Sequence, residues 1–577
     1  MSTQTSDILT HHALLVLWGQ FAQAIGLVDA LTTIPLAQKR YAHRPQTKVL
    51  EFLLAILAGL PYLKDLSTAA HPLDQDVAVA RAWGQPAWAD QSGVSRTLQG
   101  LTAADVLQIA AALACISQPF IDQEVMLCMR QQGRLVFDLD LTGRPVSPQS
   151  STYPDAAFGH MTDGVEFGYQ AALVSLQSPT YGRLCLSATH HPGNTRSFTQ
   201  LPALVAVAEA ATHVHPRRRI DLLRQRLDLV AAEMATKQEL VDQQQRHLHR
   251  QRERLAALGQ AVQDQATALS ALPATAAARE RRRSQCRLDR LRASQQRQEQ
   301  AVAESERGLV HHQHALQPVQ ATHQILSERL LRFERDNAQT PAPVAAVMRV
   351  DAGFGTGENI ALLIEAGYEV YTKPCTAQIT ASLLSHLPAD AAWTRVGSNA
   401  EMTVCQPGPV GQCPYDLDIA LERFKVGERW DYNGLLHYGS DAVSGALSAW
   451  FDAYNARQTV EAGIKEGKQV FQMHHLKVRT TPALQLQECY AAFAANFVRW
   501  AALWLAQAPQ QTSVAAQSIK TQVQVLAHVS ALIAVGADGY IAHFTASSVL
   551  AGKSWAAPLV AVQPALPFYT TRVFAPV

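Results

Sequence analysis

Four side chains in the carboxyl-terminal third of the chain have a spacing that suits metal and phosphate chemistry. The stretch AYNARQTVEAGIKEGKQ contains Tyr454, Arg457, Glu461 and Lys468. In one continuous helix of about 3.6 residues per turn, this spacing places all four side chains on one face. The two cations suit phosphates, and the carboxylate suits a divalent metal ion. The alternative is a solvated amphipathic helix in which Arg457 and Glu461 form an ordinary ion pair.

Two more acids lie upstream in a β-prone run. The segment GRLVFDLDLTGRPV alternates apolar residues with Asp138 and Asp140. Residues i and i+2 of a strand point the same way, so both carboxylates emerge on one face. Burying unpaired charge is costly, and a central strand with two acids therefore needs a metal ion or a cation opposite them. The alternative is an edge strand whose acids face water.

A further acid precedes a glycine-rich turn. In AAVMRVDAGFGTGENIALLIEAGYEVYTK, an apolar run ends at Asp351, and a helical stretch from 359 to 365 and a second strand from 368 to 371 follow the glycines. This order predicts a β-α-β unit with its acid at the carboxyl end of the strand, where open α/β sheets place their chemistry.

The same turn has a second interpretation. VDAGFGTG resembles the first motif of Rossmann-type S-adenosylmethionine methyltransferases, in which glycines let the backbone approach the ligand. Those enzymes require an acid at the end of the following strand to hold the ribose hydroxyls. Here that strand ends in Tyr371, Thr372 and Lys373. A glycine motif without its acidic partner is weak evidence, and a methyltransferase is the least favoured function.

Taken together, the acids resemble those of a known family of enzymes. The order Asp140, Asp351, Glu461, with Glu461 inside Tyr-x2-Arg-x3-Glu-x6-Lys, is similar to the DDE transposases of bacterial insertion sequences that carry this signature. DLDLTG and RVDAGFGTGENI resemble the first-Asp and second-Asp segments of that group, and HHPGNTRS at 190–197 resembles the loop after the next strands. The resemblance extends over residues 133–496, with one insertion.

The resemblance implies an RNase H-like α/β catalytic core in which Asp140, Asp351 and Glu461 are the catalytic, metal-binding carboxylates. Asp140 is preferred to Asp138 because the family pattern has a Thr two residues after its Asp, as Thr142 is here. Strand alternation alone does not separate the two aspartates, so Asp138 remains an alternative ligand.

The implied reaction is cleavage of transposon ends and their joining to target DNA. Two Mg2+ ions about 4 Å apart, which Mn2+ can replace, activate the attacking oxygen and stabilise the leaving oxygen. An oxygen-only ligand set is what Mg2+ prefers. The resemblance also makes Tyr454, Arg457 and Lys468 contacts to end phosphates. The implied partners are double-stranded DNA with terminal inverted repeats, target DNA and a second copy of the chain, since two ends must join one target.

The remaining segments form domains around this core. The segment ADQSGVSRTLQGLTAADV predicts a helix-turn-helix with Arg96 toward DNA, and a packed helical bundle is the alternative. The predicted divisions are a helical N-terminal DNA-binding domain at 1–125, core parts at 130–215, 338–375 and 441–515, a coiled-coil insertion at 216–337, a β-rich insertion at 376–440 and a closing or dimerisation element at 516–577.

The insertion at 216–337 has the clearest periodicity of the chain. After a break at Leu272 and Pro273, a second helical stretch runs to residue 335, and both ends must return to one core, so we predict an antiparallel hairpin. The hairpin is a candidate to clamp DNA or a second subunit. Between Arg217 and Asp336 there are 22 Lys or Arg against 15 Asp or Glu, which favours a DNA role, and solvated, charge-rich coiled-coil flanks are the alternative. Apolar residues recur every seventh position at Ile220, Leu227, Met234, Val241, Leu248, Leu255, Val262 and Leu269.

In the β-rich insertion, Trp430 is a candidate to stack on a base extruded at the cut site, and a core tryptophan is the alternative. The net charge of +1 excludes a uniformly basic nucleic-acid coat, so DNA contacts require local patches. Eight cysteines without a CxxC pair indicate neither a disulfide scaffold nor a zinc module. The N-terminus lacks a secretory pattern, and the apolar run at 49–60 is too short for a bilayer, so we expect no membrane contact and a cytoplasmic, nucleoid-associated protein. The alternative function is a non-catalytic architectural DNA-binding protein derived from a transposase.

Overall fold

The computed structural model describes residues 8–37, 42–161, 164–273, 276–340, 342–507, 513–536, 539–545, 550 and 553–556. The chain divides into two compact units. One comprises residues 218–341, and the other comprises 1–217 together with 342–577. The protein is a mixed α/β structure, as the sequence predicts.

Helices account for most of the described chain. The α-helices are α1 Ala13–Ala24, α2 Leu27–Thr32, α3 Pro45–Leu57, α4 Asp65–Thr68, α5 Val77–Ala82, α6 Gln91–Gln99, α7 Ala103–Gln132, α8 Ser197–Thr212, α9 Ile220–Ser270, α10 Ala278–Gln339, α11 Gly357–Glu365, α12 Ala377–Ser385, α13 Leu447–Asn455, α14 Gln458–Gln469, α15 Thr481–Leu505 and α16 Ile519–Gln524. Short 3-10 helices lie at Leu73–Gln75, Val443–Gly445 and Leu526–His528.

The strands form two sheets. They are β1 Ile8–Thr10, β2 Arg134–Pro145, β3 Ala157–Met161, β4 Gly164–Ser178, β5 Gly182–Pro192, β6 Ala345–Arg349, β7 Glu369–Thr372, β8 Thr394–Arg395, β9 Ala400–Gly408, β10 Leu417–Val426, β11 Arg429–Tyr438, β12 Ala531–Gly536, β13 Gly539–Phe544 and β14 Ser554–Ala556.

The larger sheet joins ten strands in the order β3-β4-β2-β6-β7-β11-β10-β9-β8, with β5 also paired to β4. β2, β6 and β7 are parallel, and β4 and β11 flank this parallel centre as antiparallel neighbours. β2 therefore lies inside the sheet, and the edge-strand alternative for Asp138 and Asp140 is wrong. The β-α-β unit predicted around the glycine turn is present as β6, α11 and β7.

Residues 394–438 extend this sheet. β11 pairs with β7 through three consecutive residue pairs, and β10, β9 and β8 continue outward from it. The segment predicted as a β-rich insertion at 376–440 thus contains four strands, and these strands belong to the main sheet. Alternation and turn residues show where strands occur, but they do not show which sheet a strand joins.

The N-terminal and C-terminal segments meet in the smaller sheet. β1 pairs antiparallel with β12, and β13 and β14 complete the order β1-β12-β13-β14. The segment 1–125 was predicted to be helical and separate from the C-terminal element. This prediction is wrong for β1, which is a strand and pairs with β12. Residues 557–577 of the predicted closing element lie outside the described residues.

The second unit is a hairpin of two helices, α9 and α10. Ion pairs Arg218–Asp336 and Arg252–Glu306 show that the helices run antiparallel. Every residue of the predicted heptad row is buried or half-buried. A second row, three positions later, mixes apolar and polar residues. Its glutamines form hydrogen bonds across the seam: Gln244 donates to the carbonyl of Ser305, Gln298 donates to the carbonyl of Gln251, and Gln265 donates to the hydroxyl of Ser284.

Of the described helices, α7 alone reaches the length and apolar composition that a membrane crossing requires. Only 33% of its most apolar window is buried. By itself this is weak evidence, because a core helix of a soluble protein also meets the criterion. α7 begins at a capping box, in which Thr102 and Asp105 each bond the other's backbone N–H.

Candidate active site

The central strand β2 carries two buried acids on one face. Asp138 and Asp140 are 1% and 7% exposed. Val136, two residues earlier on the same face, packs in a cluster with Trp450 and Tyr454 of α13. Helix α13 therefore covers this face of the strand, and each carboxylate needs a partner inside the protein.

Asp138 has a complete structural partner. It lies directly opposite Arg349 in the parallel pairing of β2 and β6. Arg349 donates from Nε and Nη2 to the two carboxylate oxygens of Asp138, each at 2.7 Å. Its Nη1 donates to the carbonyl of Ala453 on α13 at 3.0 Å. This bidentate pair uses both oxygens of Asp138 to join two strands and a helix.

Asp140 belongs to a different group. Oδ2 of Asp140 accepts a hydrogen bond from Nη2 of Arg457 at 2.8 Å. The same Nη2 lies 3.9 Å from Oδ2 of Asp351, and Nη1 donates to Oε1 of Glu461 at 3.3 Å. One guanidinium thus contacts Asp140, Asp351 and Glu461. Of the two candidate aspartates on β2, Asp140 is the one that meets the other two acids.

The position of Asp351 follows from the β-α-β unit. β6 ends at Arg349, and Asp351 begins the turn at the carboxyl end of the parallel strands. Its side chain is half-buried, and burial raises the pKa of its carboxyl group, while the charge of Arg457 and the backbone N–H groups of Phe354 and Gly353 act in the opposite direction. Oδ1 of Asp351 is buried without a hydrogen-bond partner among the described residues. This oxygen is therefore a candidate ligand position for a cation.

The glycines after Asp351 are required by the protein's own backbone. A Cβ at Gly355 would lie 1.9 Å from the carbonyl oxygen of Lys373, and a Cβ at Gly357 would lie 2.3 Å from the amide nitrogen of Cys413. Thr356 caps α11 by accepting from the N–H of Asn359. The space beside the turn is filled by neighbouring loops, so the glycines have a packing explanation that does not involve a nucleotide cofactor.

Glu461 lies on α14, one turn after the break that separates it from α13. α13 ends at Asn455 and α14 begins at Gln458, with Arg457 at the N-cap position of α14. The prediction of one continuous helix through Tyr454 and Lys468 is therefore wrong. Ala456 and Arg457, which join the two helices, keep right-handed helical backbone angles, and the Glu461 side chain is 51% exposed.

An ion-pair network holds α14 in place. Oε2 of Glu466 accepts from Nη2 of Arg183 on β5 at 2.6 Å and from Nη2 of Arg499 on α15 at 2.8 Å. Arg183 also donates to the carbonyl of Thr459 in the first turn of α14. These contacts fix the helix that carries Glu461.

Tyr454 lies beneath the acids. It is 6% exposed, and the ammonium of Lys373 lies 5.2 Å from its ring centroid. Burial raises the pKa of its phenol, with Asp351 and Asp140 among the nearby charges. Lys373 is also ion-paired with Glu422 at 3.3 Å. Tyr454 is therefore part of the buried core next to the acids. The predicted contact of its phenol with a phosphate requires the surrounding side chains to move.

The electrostatics of Asp140 reflect this crowding. Burial raises its pKa to about 7, with Asp351 and Glu461 adding to the increase and Arg457 opposing it. At neutral pH the carboxyl group is therefore divided between its acid and its carboxylate forms. A site with three acids and one cation has a deficit of positive charge that a bound cation can fill.

The other predicted DNA-binding residues are dispersed. Lys468 is half-buried on α14, two turns from Glu461 and on the same face. Arg96 is exposed on α6, whose N-cap is Asp90. Trp430 is half-buried on β11, and the guanidinium of Arg423 lies 4.7 Å from its ring and 4.2 Å from that of Trp393.

The acids fit a magnesium site by donor type but do not form a ready-made one. Among the described residues, no group of three acidic, histidine or cysteine side chains is arranged to hold a metal ion. The guanidinium of Arg457 lies among the three carboxylates instead. All three donors are oxygens, which suits Mg2+ or Mn2+, and the unpaired Oδ1 of Asp351 can be satisfied by such an ion.

Sequence reasoning missed several residues that complete the site. Arg349 follows the alternation of β6 and faces Asp138, and the need for a cation opposite a buried acid was the available signal. Arg183 and Glu466 gave no local signal, because they meet through the packing of β5 against α14. Arg457 was expected to contact DNA, and its contacts with Asp140 and Asp351 join segments that are far apart in the sequence.

Comparisons with known proteins leave the chain without an assigned family: neither a protein-family model nor a curated protein matches it.

Proposed function

We propose that the protein is a cut-and-paste DNA transposase with an RNase H-like core. The observation that carries the proposal is the set of contacts between Arg457 and Asp140, Asp351 and Glu461. Their order in the chain and the signature around Glu461 resemble those of DDE transposases. The contact of all three acids with one guanidinium supports a shared site, because acids in separate sites would not lie around the same cation.

The sheet also supports the proposal. Antiparallel strands β5, β4 and β2 lead into a parallel β-α-β unit, and the first two acids lie on β2 and at the carboxyl end of the neighbouring β6. Open α/β sheets place their ligands at this edge. An RNase H-like core is the specific form of the α/β fold that we infer from this arrangement and the resemblance.

Asp140, Asp351 and Glu461 would hold the metal ions. Bound divalent ions would activate the attacking oxygen and stabilise the leaving oxygen of the phosphodiester. To bind a metal ion, the carboxyl group of Asp140 must lose its proton, and burial raises the pKa of this group to about 7. Arg457 offsets part of the negative charge of the three acids in the absence of a metal ion. Once a divalent cation supplies this charge, Arg457 can donate its two Nη groups to a DNA phosphate.

Other residues would bind the DNA around the cut. Lys468 lies on the same face of α14 as Glu461. Trp430 and Trp393 flank Arg423, so a base has an aromatic and cationic surface available in this part of the sheet. Arg96 remains the proposed contact of the N-terminal helices. We propose a homodimer on double-stranded DNA with inverted repeats and target DNA, acting in the cytoplasm at the nucleoid.

The experiment is Mg2+-dependent nicking of DNA that carries the inverted repeats flanking the gene. The wild-type chain should nick such DNA with Mg2+ or Mn2+ and leave it intact with EDTA. Asp351→Asn should reduce nicking by at least 100-fold, because it removes a metal ligand. Asp452→Asn, an exposed acid on α13 with the same change of charge, is the control and should retain activity. Nicking that survives Asp351→Asn contradicts the proposal.

The second candidate is a non-catalytic architectural DNA-binding protein. It is favoured by the fact that Arg457 contacts all three acids, as a structural ion cluster would require. Such a protein would shift DNA carrying the inverted repeats in a gel without cutting it under any metal condition. The nicking experiment therefore separates the two candidates.

A further inference from the structure

The far end of the helical hairpin carries a concentration of arginines. We define the hairpin tip as the described residues between 258 and 292, which include the end of α9, the turn and the start of α10. The tip contains three acids, Asp264, Glu280 and Asp289, and seven arginines. The seven arginines are all exposed: Arg279, Arg281, Arg282, Arg283, Arg287, Arg290 and Arg292.

These arginines differ from others on the same hairpin in their partners. Arg224 pairs with Glu334, and Arg252 pairs with Glu306, both across the two helices. Of the seven arginines, only Arg281 has a side-chain hydrogen bond among the described residues, to the carbonyls of Leu272 and Pro273 just after α9. No carboxylate in the described part of the chain forms an ion pair with any of the seven.

Five of the arginines share one side of α10. At about 100° per residue, Arg279, Arg282, Arg283, Arg287 and Arg290 fall within an arc of about 140°. The buried Leu288 and the Ser284 that meets Gln265 lie on the opposite, seam-facing side. From Arg279 to Arg290 the stripe extends about 17 Å along the helix. Like charges held at this spacing repel one another in the free protein.

The tip presents charge without an apolar surface. Large apolar side chains are exposed elsewhere on the hairpin, at Leu229, Leu240, Val310, Ile325 and Leu331. In the described tip, no large apolar side chain is exposed. Protein interfaces usually bury an apolar centre, whereas binding to a nucleic-acid backbone rests on Arg and Lys contacts to phosphates. The composition therefore favours a polyanion over a protein partner.

We propose that the hairpin tip is a binding surface for the phosphate backbone of double-stranded DNA, independent of base sequence. The guanidinium fork suits phosphate oxygens, and DNA presents about one charge per 1.7 Å of its axis, so the stripe can meet several phosphates. The choice of DNA as the polyanion rests on the proposed function. This surface would hold DNA without reading its sequence.

The test uses the full chain and a duplex of about 30 random base pairs, with affinity measured by fluorescence anisotropy over a range of NaCl concentrations. The tip variant is Arg279→Gln/Arg283→Gln/Arg287→Gln, which leaves Arg281 and its contacts intact. The matched control is Arg246→Gln/Arg250→Gln/Arg254→Gln, which removes three exposed arginines of α9 outside the tip. Circular dichroism verifies that both variants keep the helical content of the wild type.

The tip variant should bind DNA at least tenfold more weakly at low salt, and its slope of log affinity against log salt should fall by up to about 2.7. The control should stay within about twofold of the wild type. Equal losses in both variants, or no loss in the tip variant, would overturn the proposal. A tip variant that keeps its DNA affinity but loses self-association in sedimentation would also overturn it, by assigning the tip to a second copy of the chain.

The outcome is separable from that of the catalytic proposal. Asp351→Asn should retain the tip-dependent DNA affinity, because this residue lies in the other unit. A wild-type chain that shows tip-dependent binding but never nicks DNA with Mg2+ removes the transposase proposal and leaves the tip surface. The opposite result is also possible to observe: a chain that nicks DNA carrying inverted repeats but binds random DNA equally well with and without the tip arginines. This result removes the tip proposal and leaves the transposase proposal.

Discussion

Arg457 donates to Asp140 at 2.8 Å, across 317 positions of sequence, and so joins the central strand to the helix that carries Glu461. Two residues before Asp140, Asp138 is held by Arg349 through two bonds of 2.7 Å. The two neighbouring aspartates therefore have different environments. Asp138 belongs to a closed pair, and Asp140 belongs to a group of acids with only one cation.

This contrast predicts different effects on stability. Asp138→Asn leaves the buried charge of Arg349 without its counter-ion and should lower the free energy of unfolding by about 3–5 kcal/mol. Asp140→Asn should lower it by no more than about 1 kcal/mol at pH 7, because Arg457 keeps Asp351 and Glu461. Urea unfolding followed by circular dichroism measures both. Equal losses would show that the two aspartates are both structural.

Arg457 and a divalent ion should compete for the same acids. Arg457→Gln removes the internal cation, so the variant should unfold at a lower temperature than the wild type in EDTA. In MgCl2 or MnCl2 its melting temperature should rise more than that of the wild type, since the uncompensated acids attract the ion more strongly. Differential scanning fluorimetry measures the shift. Arg429→Gln, which changes an exposed arginine at the start of β11, is the control. A metal response no larger in Arg457→Gln than in this control would contradict the competition.

The pKa of Asp140 predicts a pH dependence of stability in the absence of metal. Burial raises this pKa from 3.8 to about 7, so between these values the folded protein holds a proton that the unfolded chain has lost. The stabilising contribution of the protonated form is complete below about pH 4 and declines as the pH rises to 7. Asp140→Asn cannot titrate, so its melting temperature in EDTA should fall less between pH 5 and 8 than that of the wild type. The same decline in both proteins would place the titration elsewhere.

Glu51 in α3 should show a similar effect outside the site. It is fully buried, and one oxygen accepts from the N–H of Ala89 at 3.0 Å while the other has no partner among the described residues. Burial raises its pKa to about 8. Stability should therefore decline from about pH 4.5 to pH 8 as Glu51 is forced to ionise.

Glu51→Gln should remove this part of the decline and raise stability at pH 8.5 by a few kcal/mol, on the order expected for a buried carboxylate. Thermal unfolding at pH 5 and pH 8.5 tests the effect, with the exposed Glu428→Gln as the control. A stability difference between variant and wild type that is the same at both pH values would contradict the assignment.

The local parts of this structure were predictable because they depend on neighbouring residues. The alternation around Asp138 and Asp140, the turn after Asp351 and the heptads of α9 each follow from short-range periodicity. The break between α13 and α14 was not predictable in this way, because Tyr454 through Lys468 has no Pro or other strong helix-breaking residue before Gly463.

The other differences between the predictions and the structure arise from pairings of strands that are far apart in the sequence. β1 pairs with β12 across more than 500 residues, and β11 joins the main sheet through β7 rather than forming its own layer. The partner of Asp138 was anticipated only as a cation of unspecified origin. Periodicity identifies a buried face, but the residue that meets it is set by the sheet order, which no local pattern contains.

The most direct test of the central claim is anomalous diffraction from crystals of the protein soaked in MnCl2. We expect manganese density bound by Asp140, Asp351 and Glu461, with the guanidinium of Arg457 displaced from Oδ2 of Asp140. Crystals in which Arg457 keeps its contacts with the three carboxylates at saturating Mn2+, with no manganese beside them, would contradict the claim that these acids form a metal-dependent active site.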